Sequence, residues 1–303
     1  SYTLSLSPRF GMLWGYGEEQ VYTDSDSDQL LSQLLWEAKP QWYMGMGMEF
    51  SQKDPAAGPG GFGALSAKFG IAAHSGVMED RDWLAPGGKL SNYSRHDNLA
   101  NGAAMLDLAA GLSIPAWGFI TIRFSLGVSY TRFSWSAYDG YYRYGKYSGG
   151  VYAPLEDSDP AVLQSGPVVS YSQDWLALPL GLRVSIFPGR LFSGALYYSA
   201  GPVLNFVGRD DHYLRVRTGY YGQFIDNANG GYVLEPGGEF RFSPGERFSL
   251  LLYLSWRTIT TGPGGKSFGR NTGDGAQNWN FLGNTSGGGF QALDLGLGLE
   301  VRL

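Results

Sequence analysis

Apolar and polar residues alternate along most of this chain with a period of two. The clearest example is the carboxyl-terminal segment. There, every second residue from Leu293 to Leu303 is apolar, and the residues between are small or charged. Successive side chains of a β-strand point to opposite faces, so this pattern predicts a strand with one apolar face.

The same alternation recurs nine more times and predicts ten strands in all. Besides the last one, the predicted strands lie within 2–16, 34–50, 65–71, 104–114, 120–128, 178–186, 192–206, 232–242 and 248–256. Many of them are longer than the roughly five to six residues that are usual in soluble proteins.

Charged residues such as Asp107, Arg123 and Arg183 lie on the face opposite the aliphatic one. A polar interior, an apolar exterior and an even number of long strands are typical of outer-membrane barrels. The sequence therefore predicts an all-β fold, a ten-stranded antiparallel transmembrane β-barrel with long extracellular loops. Alternation alone leaves open a water-soluble sandwich, whose apolar faces would point inward.

Short and long connections alternate between the predicted strands, as in bacterial outer-membrane barrels. Tight turns rich in Pro and Gly lie at 115–118, 187–190 and 243–246, and long loops are expected at 17–29, 74–98, 137–165, 207–228 and 260–288. We find no linker and expect a single domain over 1–303. Because Ser1 is followed directly by a strand pattern, we expect a mature or trimmed chain.

Composition removes several classes of function. The 303 residues include 46 glycines but no cysteine, which excludes thiol catalysis, disulfides and thiolate metal sites. No apolar run reaches the ~18 residues of a membrane-spanning helix. The net charge is −5 and no basic cluster stands out, so we expect no nucleic-acid partner.

Two pairs of ionisable residues carry the candidate chemistry, Asp80-x-Asp82 and Asp210-x-His212. In extended backbone, residues i and i+2 point to the same face, so each pair presents two ionisable groups side by side. Both pairs fall in predicted long loops, four strands apart in a ring of ten. We therefore expect them at the same rim, nearly opposite each other across the mouth.

This mixture of groups suits the activation of water. His212 is the candidate general base and Asp210 its orienting partner, while Asp80 and Asp82 are candidates to bind water and polarise a carbonyl oxygen. The alternatives are a calcium site or a surface charge cluster at Asp80 and Asp82. An acidic hairpin tip is expected at 24–28, and a Gly-x-Ser-x-Gly sequence at 265–269 lacks the context of a nucleophile elbow.

Several segments resemble the omptin family of ten-stranded outer-membrane endopeptidases. They are 19–22, 32–36, 78–83, 94–96 and 210–213, in family order and at family-like spacing. The resemblance implies that Asp80, Asp82, Asp210 and His212 are catalytic. It also implies that water is the nucleophile, with no covalent intermediate and no metal.

The resemblance further implies substrate-binding roles. Glu19 matches a family glutamate that recognises basic residues, and Ser94 and His96 are secondary candidates at the rim. The family's second specificity carboxylate falls at Gly208, followed by Arg209. Losing a carboxylate and gaining a cation is expected to weaken the recognition of Arg and Lys.

Familiar omptins also need lipopolysaccharide, held by a cluster on the outer barrel wall. Only Arg132 matches that cluster, because Val128, Tyr130 and Asp174 have different chemistry at neighbouring family positions. The resemblance therefore implies lipid binding at Arg132 but leaves the lipopolysaccharide requirement open. We expect no other cofactor.

The sequence thus predicts a monomeric surface endopeptidase in a bacterial outer membrane that acts on peptides or proteins and cuts near basic residues. The main alternative is a non-enzymatic adhesin on the same scaffold, because the segment 138–147 is rich in Tyr, which suits contact surfaces. A passive porin is the weaker third alternative, since inward-facing charges such as Arg183 and Glu239 can fill a narrow barrel by pairing.

Overall fold

Antiparallel strands make up most of the computed structural model, which describes residues 2–23, 29–52, 58–187, 191–214, 221–271 and 278–303. The acidic tip expected at 24–28 and most of the turn expected at 187–190 lie outside these residues. Within the described ranges, no helix is long and apolar enough to cross a membrane.

The strands are β1 Tyr2–Tyr22, β2 Leu30–Gln52, β3 Gly60–Gly70, β4 Ala73–Asp82, β5 Asn92–Trp117, β6 Ile120–Tyr144, β7 Tyr147–Ser148, β8 Val151–Tyr152, β9 Val162–Leu163, β10 Pro167–Ala177, β11 Leu180–Ile186, β12 Phe192–His212, β13 Tyr221–Ala228, β14 Tyr232–Phe242, β15 Phe248–Thr260, β16 Gly265–Asn271 and β17 Asn280–Arg302.

These strands form a ring of ten, because the last strand, β17, pairs with the first. Six long strands run through both halves of the ring, namely β1, β2, β5, β6, β12 and β17. The other four positions are each filled by two shorter strands. The lower half holds β3, β11, β14 and β15, and the upper half holds β4, β10, β13 and β16. The predicted ten-stranded antiparallel architecture is confirmed.

The lower half has an apolar outside and a polar inside. Large apolar side chains are exposed around its circumference, including Leu108, Leu196 and Leu297. Inside, Arg257 pairs with both Asp107 and Glu235. A continuous exposed apolar band of this kind faces lipid, so the sandwich alternative is wrong.

Inward-facing charges also pair elsewhere in the lower barrel. Arg183 contacts Glu239 at 2.9 Å, and Arg241 bridges Glu239 and Glu300. Arg123 contacts Glu49 at 2.9 Å. These ion pairs fill the narrow lumen with side chains, as the sequence predicted.

The segments expected to be long loops are mostly strands, and this prediction was wrong. The segment 74–98 contains most of β4 and the start of β5, and 207–228 contains the end of β12 and all of β13. Above the apolar band the outer face of a strand carries polar residues, such as Asp174 on β10, and apolar or aromatic residues, such as Tyr171, lie on the inner face. The strands therefore continue without the apolar outer face that marks the lower barrel.

A layer of aromatic rings closes the interior below the upper rim. Trp36 of β2 stacks on Tyr171 of β10 at 5.6 Å and on Trp135 of β6 at 6.2 Å. Phe133 stacks on Phe290 of β17 at 4.0 Å. Because β2 and β10 are not neighbours in the ring, these contacts cross the barrel and tie its opposite walls together.

Candidate active site

Asp210 and His212 lie at the upper end of β12 and face the interior of the mouth. Asp210 Oδ2 is 2.5 Å from His212 Nε2, and their side chains are 3% and 15% exposed. The edge of the imidazole packs against the ring of Phe224 on β13. A buried carboxylate in this position fixes the imidazole and stabilises its protonated form, leaving the other ring nitrogen to take a proton.

Asp80 and Asp82 lie at the upper end of β4, between β2 and β5. Both fall on the face that carries the buried Met78, so both point into the mouth. Asp82 Oδ2 accepts a hydrogen bond from Asn92 Nδ2 at 3.2 Å. The two carboxylates therefore share one wall, as residues two apart on a strand should.

The aromatic layer places the two pairs relative to each other. Tyr171 is the direct cross-strand partner of Asp210, and Trp36 is the partner of Met78, two residues before Asp80. Because Trp36 and Tyr171 stack on each other, the two pairs stand on opposite walls just above one layer of rings. In the upper ring, β4 and β12 are four positions apart out of ten.

The expectation that the candidate catalytic residues occupy loops outside the strand ladder is wrong. Asp80 pairs with Leu34 and Ser94, and Asp210 lies between its partners on β10 and β13. His74 and His96 fall within the loop expected at 74–98 but also lie on strands, His74 on β4 and His96 on β5. Substitutions here alter a hydrogen-bonded wall, so their effect on folding has to be measured.

Ser94 and His96 form the wall beside the Asp pair. Ser94 is buried directly opposite Asp80 on β5. His96 is 3% exposed, and its Nδ1 donates to the backbone carbonyl of Asp139. Burial lowers the pKa of His96, and the bond to the carbonyl opposes this only in part. His96 therefore acts as a neutral wall residue beside the site.

Glu19 lies on the interior face of β1, 4% exposed, next to Leu34 of β2 and Gly288 of β17. Leu34 is in turn the cross-strand partner of Asp80 on β4. Glu19 is therefore two strands from the Asp pair, in the same row of the wall.

Arg209 does not add a cation to the mouth, contrary to expectation. It faces outward, where its Nη1 is 2.5 Å from Asp174 Oδ2. Asp211 also faces outward and accepts a hydrogen bond from Gln223 at 2.5 Å, so it points away from Asp210 as expected. Only the exchange to Gly208 changes the interior.

The sequence interpretation missed Asp226, which lies on β13 directly opposite Gly208. It is 3% exposed and faces the interior. Burial, with a contribution from the nearby Asp210 carboxylate, raises the pKa of Asp226 to about 7, although a hydrogen bond from Ser267 opposes the shift. Its surroundings in the sequence, 226–230, have the composition of a turn, so no periodic signal marked it.

Arg132 lies on the outer surface, away from the mouth. Its Nη1 is 3.3 Å from Asp174 Oδ1, and its side chain is half exposed. Tyr130 donates to the same carboxylate oxygen at 2.6 Å. Together with Arg209, these residues form a polar cluster on the barrel exterior.

Comparison with known proteins gives the family and the fold of this chain. The family model described as "Omptin family" matches residues 1–303. This chain belongs to the omptin family. It is 27% identical over 255 residues to the plasminogen activator of Yersinia pestis, a match that covers 78% of this chain and 72% of the relative.

A solved structure shares the fold of this omptin. The crystal structure of the outer membrane protease OmpT from Escherichia coli superposes with a TM-score of 0.84 at 16% identity. The match covers 100% of this chain and 98% of that one. Family membership and fold together place this omptin in the bacterial outer membrane and support a peptidase on this scaffold.

Proposed function

We propose that this omptin is an endopeptidase in which His212 activates a water molecule to attack a peptide bond. The observation that carries the proposal is the contact of 2.5 Å between His212 and the buried Asp210, on the wall opposite Asp80 and Asp82. A base, its orienting carboxylate and an opposing acid pair are the groups that water-mediated hydrolysis requires.

The proposed reaction assigns one role to each group. His212 takes a proton from water as the water oxygen attacks the carbonyl carbon, and Asp210 stabilises the imidazolium that forms. Asp80 and Asp82 hold the attacking water on the wall opposite the base. The imidazolium then gives its proton to the leaving amine, which restores the base.

Substrate binding is proposed along the same row of the wall. Glu19 is the candidate that attracts a basic side chain, and Ser94 and His96 border the Asp pair. An extended peptide lying across the mouth would pass between the two walls. Peptides or proteins with a basic residue near the cut are therefore the proposed substrates.

Lipid contact is proposed at the outer cluster around Arg132. The half-exposed guanidiniums of Arg132 and Arg209 share Asp174 and can also reach an anionic lipid headgroup. Whether activity requires lipopolysaccharide is tested by assaying detergent-folded protein with and without it, in the wild type and in Arg132→Ala. If lipopolysaccharide acts through this cluster, it will stimulate cleavage by the wild type more than cleavage by Arg132→Ala.

The test of the catalytic proposal is cleavage of a diverse peptide library, read by mass spectrometry. We expect cuts by the wild type that disappear in His212→Ala. His74→Ala is the matched control, because His74 is an exposed imidazole that contacts Tyr138 on the outer surface. Cleavage that persists in His212→Ala would show that the base is misassigned.

A second candidate function is adhesion. It is favoured by aromatic side chains beyond the mouth, where Tyr147 and Tyr152 pair at 4.8 Å on the β7–β8 hairpin. Tyr147 is 64% exposed and Leu163 84% exposed. If the barrel is an adhesin, host-cell or matrix binding will survive His212→Ala and be lost in Tyr147→Ala.

A further inference from the structure

The Tyr-rich segment 138–147 contains the upper end of β6, and part of it faces the mouth. Tyr142 is the direct cross-strand partner of Ser94 on β5, and Ser94 lies in turn opposite Asp80 on β4. Directly opposed residues on antiparallel strands share a face of the sheet. Because Asp80 points into the mouth, Tyr142 points into it as well.

A second tyrosine repeats this arrangement nearer the rim. Tyr144 lies opposite Asn92, and Asn92 lies opposite Asp82, to whose Oδ2 it donates a hydrogen bond at 3.2 Å. The rings of Tyr142 and Tyr144 are 4.8 Å apart and inclined at 40° to each other. The two tyrosines and the acid pair therefore stand on one continuous inner wall, with a single strand between them.

The tyrosine rings form the accessible surface of this part of the wall. Ser94 and Asn92 have short side chains and are almost fully buried, whereas Tyr144 is 47% exposed. A tyrosine ring offers a large contact area at low entropic cost, because only two side-chain torsions have to be fixed. Its faces suit an apolar side chain, and aromatic rings pack on one another most favourably.

The outer face of the same strand carries a tyrosine with a different environment. Tyr141 packs on Tyr93 of β5 at 6.2 Å, and the Tyr93 hydroxyl donates to Glu79 at 2.9 Å. Glu79 precedes Asp80 on β4, so it points away from the mouth. Tyr141 therefore lies outside the barrel and cannot contact a peptide held between the two walls.

The backbone around the two inner tyrosines is held in place. Beyond Tyr144, the amide of Gly145 donates to the carbonyl of Ser91 at 2.7 Å. On the side away from β5, Tyr142 pairs with Val162 of β9. The rings thus stand on a strand that is paired on both sides. A surface formed before the substrate arrives loses little conformational entropy on binding.

The order of the strands places this surface along a bound peptide. Glu19 on β1 lies two strands from the acid pair in one direction, and the tyrosines on β6 lie two strands from it in the other. Two strand spacings are about 10 Å, or about three residues of extended chain. With Glu19 at the residue before the cut, the tyrosines meet the second or third residue after it.

We propose that Tyr142 and Tyr144 form a substrate-binding subsite that favours an apolar, and above all an aromatic, side chain at the second or third residue after the cut. This inference rests on the proposed peptidase function, which it makes more specific. It also gives part of the Tyr-rich segment a role inside the mouth, separate from adhesion.

The test compares two peptides that share the sequence up to the first residue after the cut and differ at the next two, which are Phe in one and Ser in the other. We expect the wild type to prefer the Phe peptide in kcat/KM. Tyr144→Ala should lower this preference by about fivefold, the scale of one aromatic contact. Tyr144→Phe should retain it, because the ring remains.

The matched control is Tyr141→Ala, which removes a tyrosine from the outer face of the same strand. We expect it to keep the wild-type preference within about twofold. Folding of each variant is checked by the shift of heated against unheated protein on an SDS gel. Because the readout is a ratio of two substrates, partial loss of folded protein does not alter it.

The outcomes separate the two proposals. If the wild type cleaves neither peptide, the peptidase proposal fails and the tyrosine subsite fails with it. If the wild type cleaves both peptides equally well, or if Tyr144→Ala and Tyr141→Ala have the same effect on the preference, only the tyrosine subsite is wrong. A loss of the Phe preference in Tyr144→Ala alone supports both.

Discussion

Gly208 and Asp226 lie directly opposite each other on β12 and β13 and face the same interior surface of the barrel. Position 208, where the family resemblance expects a carboxylate, is a glycine, and its partner on the next strand is an aspartate. Because facing positions on adjacent strands are close neighbours, charge can move between them with little change in where it acts. The inner wall can thus keep its negative charge although one sequence position has lost it.

A peptide with Arg before the cut should be preferred over one with citrulline, its uncharged analogue, and this preference should depend on pH if Asp226 contributes to it. In the free protein the pKa of Asp226 is raised to about 7 by burial and by Asp210, so the carboxyl is neutral below that pH and ionised above it. The preference should therefore be small near pH 6 and rise towards pH 8. The groups that act on Asp226 are Asp210 and Ser267 on the flanking strands, and Asp226 in turn acts on Tyr171 of β10.

The measurement is kcat/KM for both peptides across this pH range, since this quantity reports the ionisation of the free protein. Ionisation of His212 affects both peptides equally and cancels in their ratio. The ratio in Asp226→Asn should stay flat with pH. A wild-type ratio that is also flat would mean that Asp226 does not ionise where the substrate binds.

Asp210→Asn should lower kcat by about 10²–10⁴-fold and change KM little. The amide keeps the size of the side chain but no longer stabilises an imidazolium on His212, which it contacts at the end of β12. Steady-state kinetics on one peptide measures the effect, with Asp211→Asn as the control on the outer face. Wild-type kcat in Asp210→Asn would contradict the proposed pair.

Trp36→Ala should destabilise the barrel by about 3–5 kcal/mol, because the ring is fully buried and stacks on both Trp135 and Tyr171. Unfolding by urea in detergent, followed by tryptophan fluorescence, measures the change. Trp117→Ala is the control, since that ring is 66% exposed beside a short turn. Equal stability of the two variants would show that the aromatic layer does not tie the walls together.

Arg257→Met should cost about 2–4 kcal/mol of stability, because it leaves the largely buried Glu235 and the partly exposed Asp107 in the lumen without their shared cation. The same urea titration measures this change. Arg81→Met is the control, because its partner Glu79 lies on the same strand and both side chains are partly exposed, so a loss of about 0–1 kcal/mol is expected. A small effect at Arg257 would indicate that water reaches its partners.

The paired lumen also predicts that the barrel conducts no steady current in planar lipid bilayers. Arg183, Arg241 and Arg257 each contact carboxylates across the lower interior. Because these side chains fill the space that ions would need, the recorded conductance should stay at the level of the bare membrane. Stable single-channel openings would revive the porin alternative.

The sequence by itself determined the lower barrel. Lipid on one side and a packed polar lumen on the other require every second residue to be apolar. The alternation therefore indicates that Leu108 faces outward and Asp107 inward. The same rule predicted the number of strands, and it predicted that Asp80 shares a face with Asp82 and Asp210 with His212. Local alternation is enough wherever the two sides of a strand meet different surroundings.

Only the tertiary structure decided the upper barrel. There the outer face of each strand is no longer apolar, so the extensions of β4 and β12 were mistaken for loops. Asp226 could not be recognised because its position opposite Gly208 and near Tyr171 is set only by strand register, far apart in sequence. A pattern with a period of two records which side a residue faces. Which residues meet across strands depends on the register that the folded ring imposes.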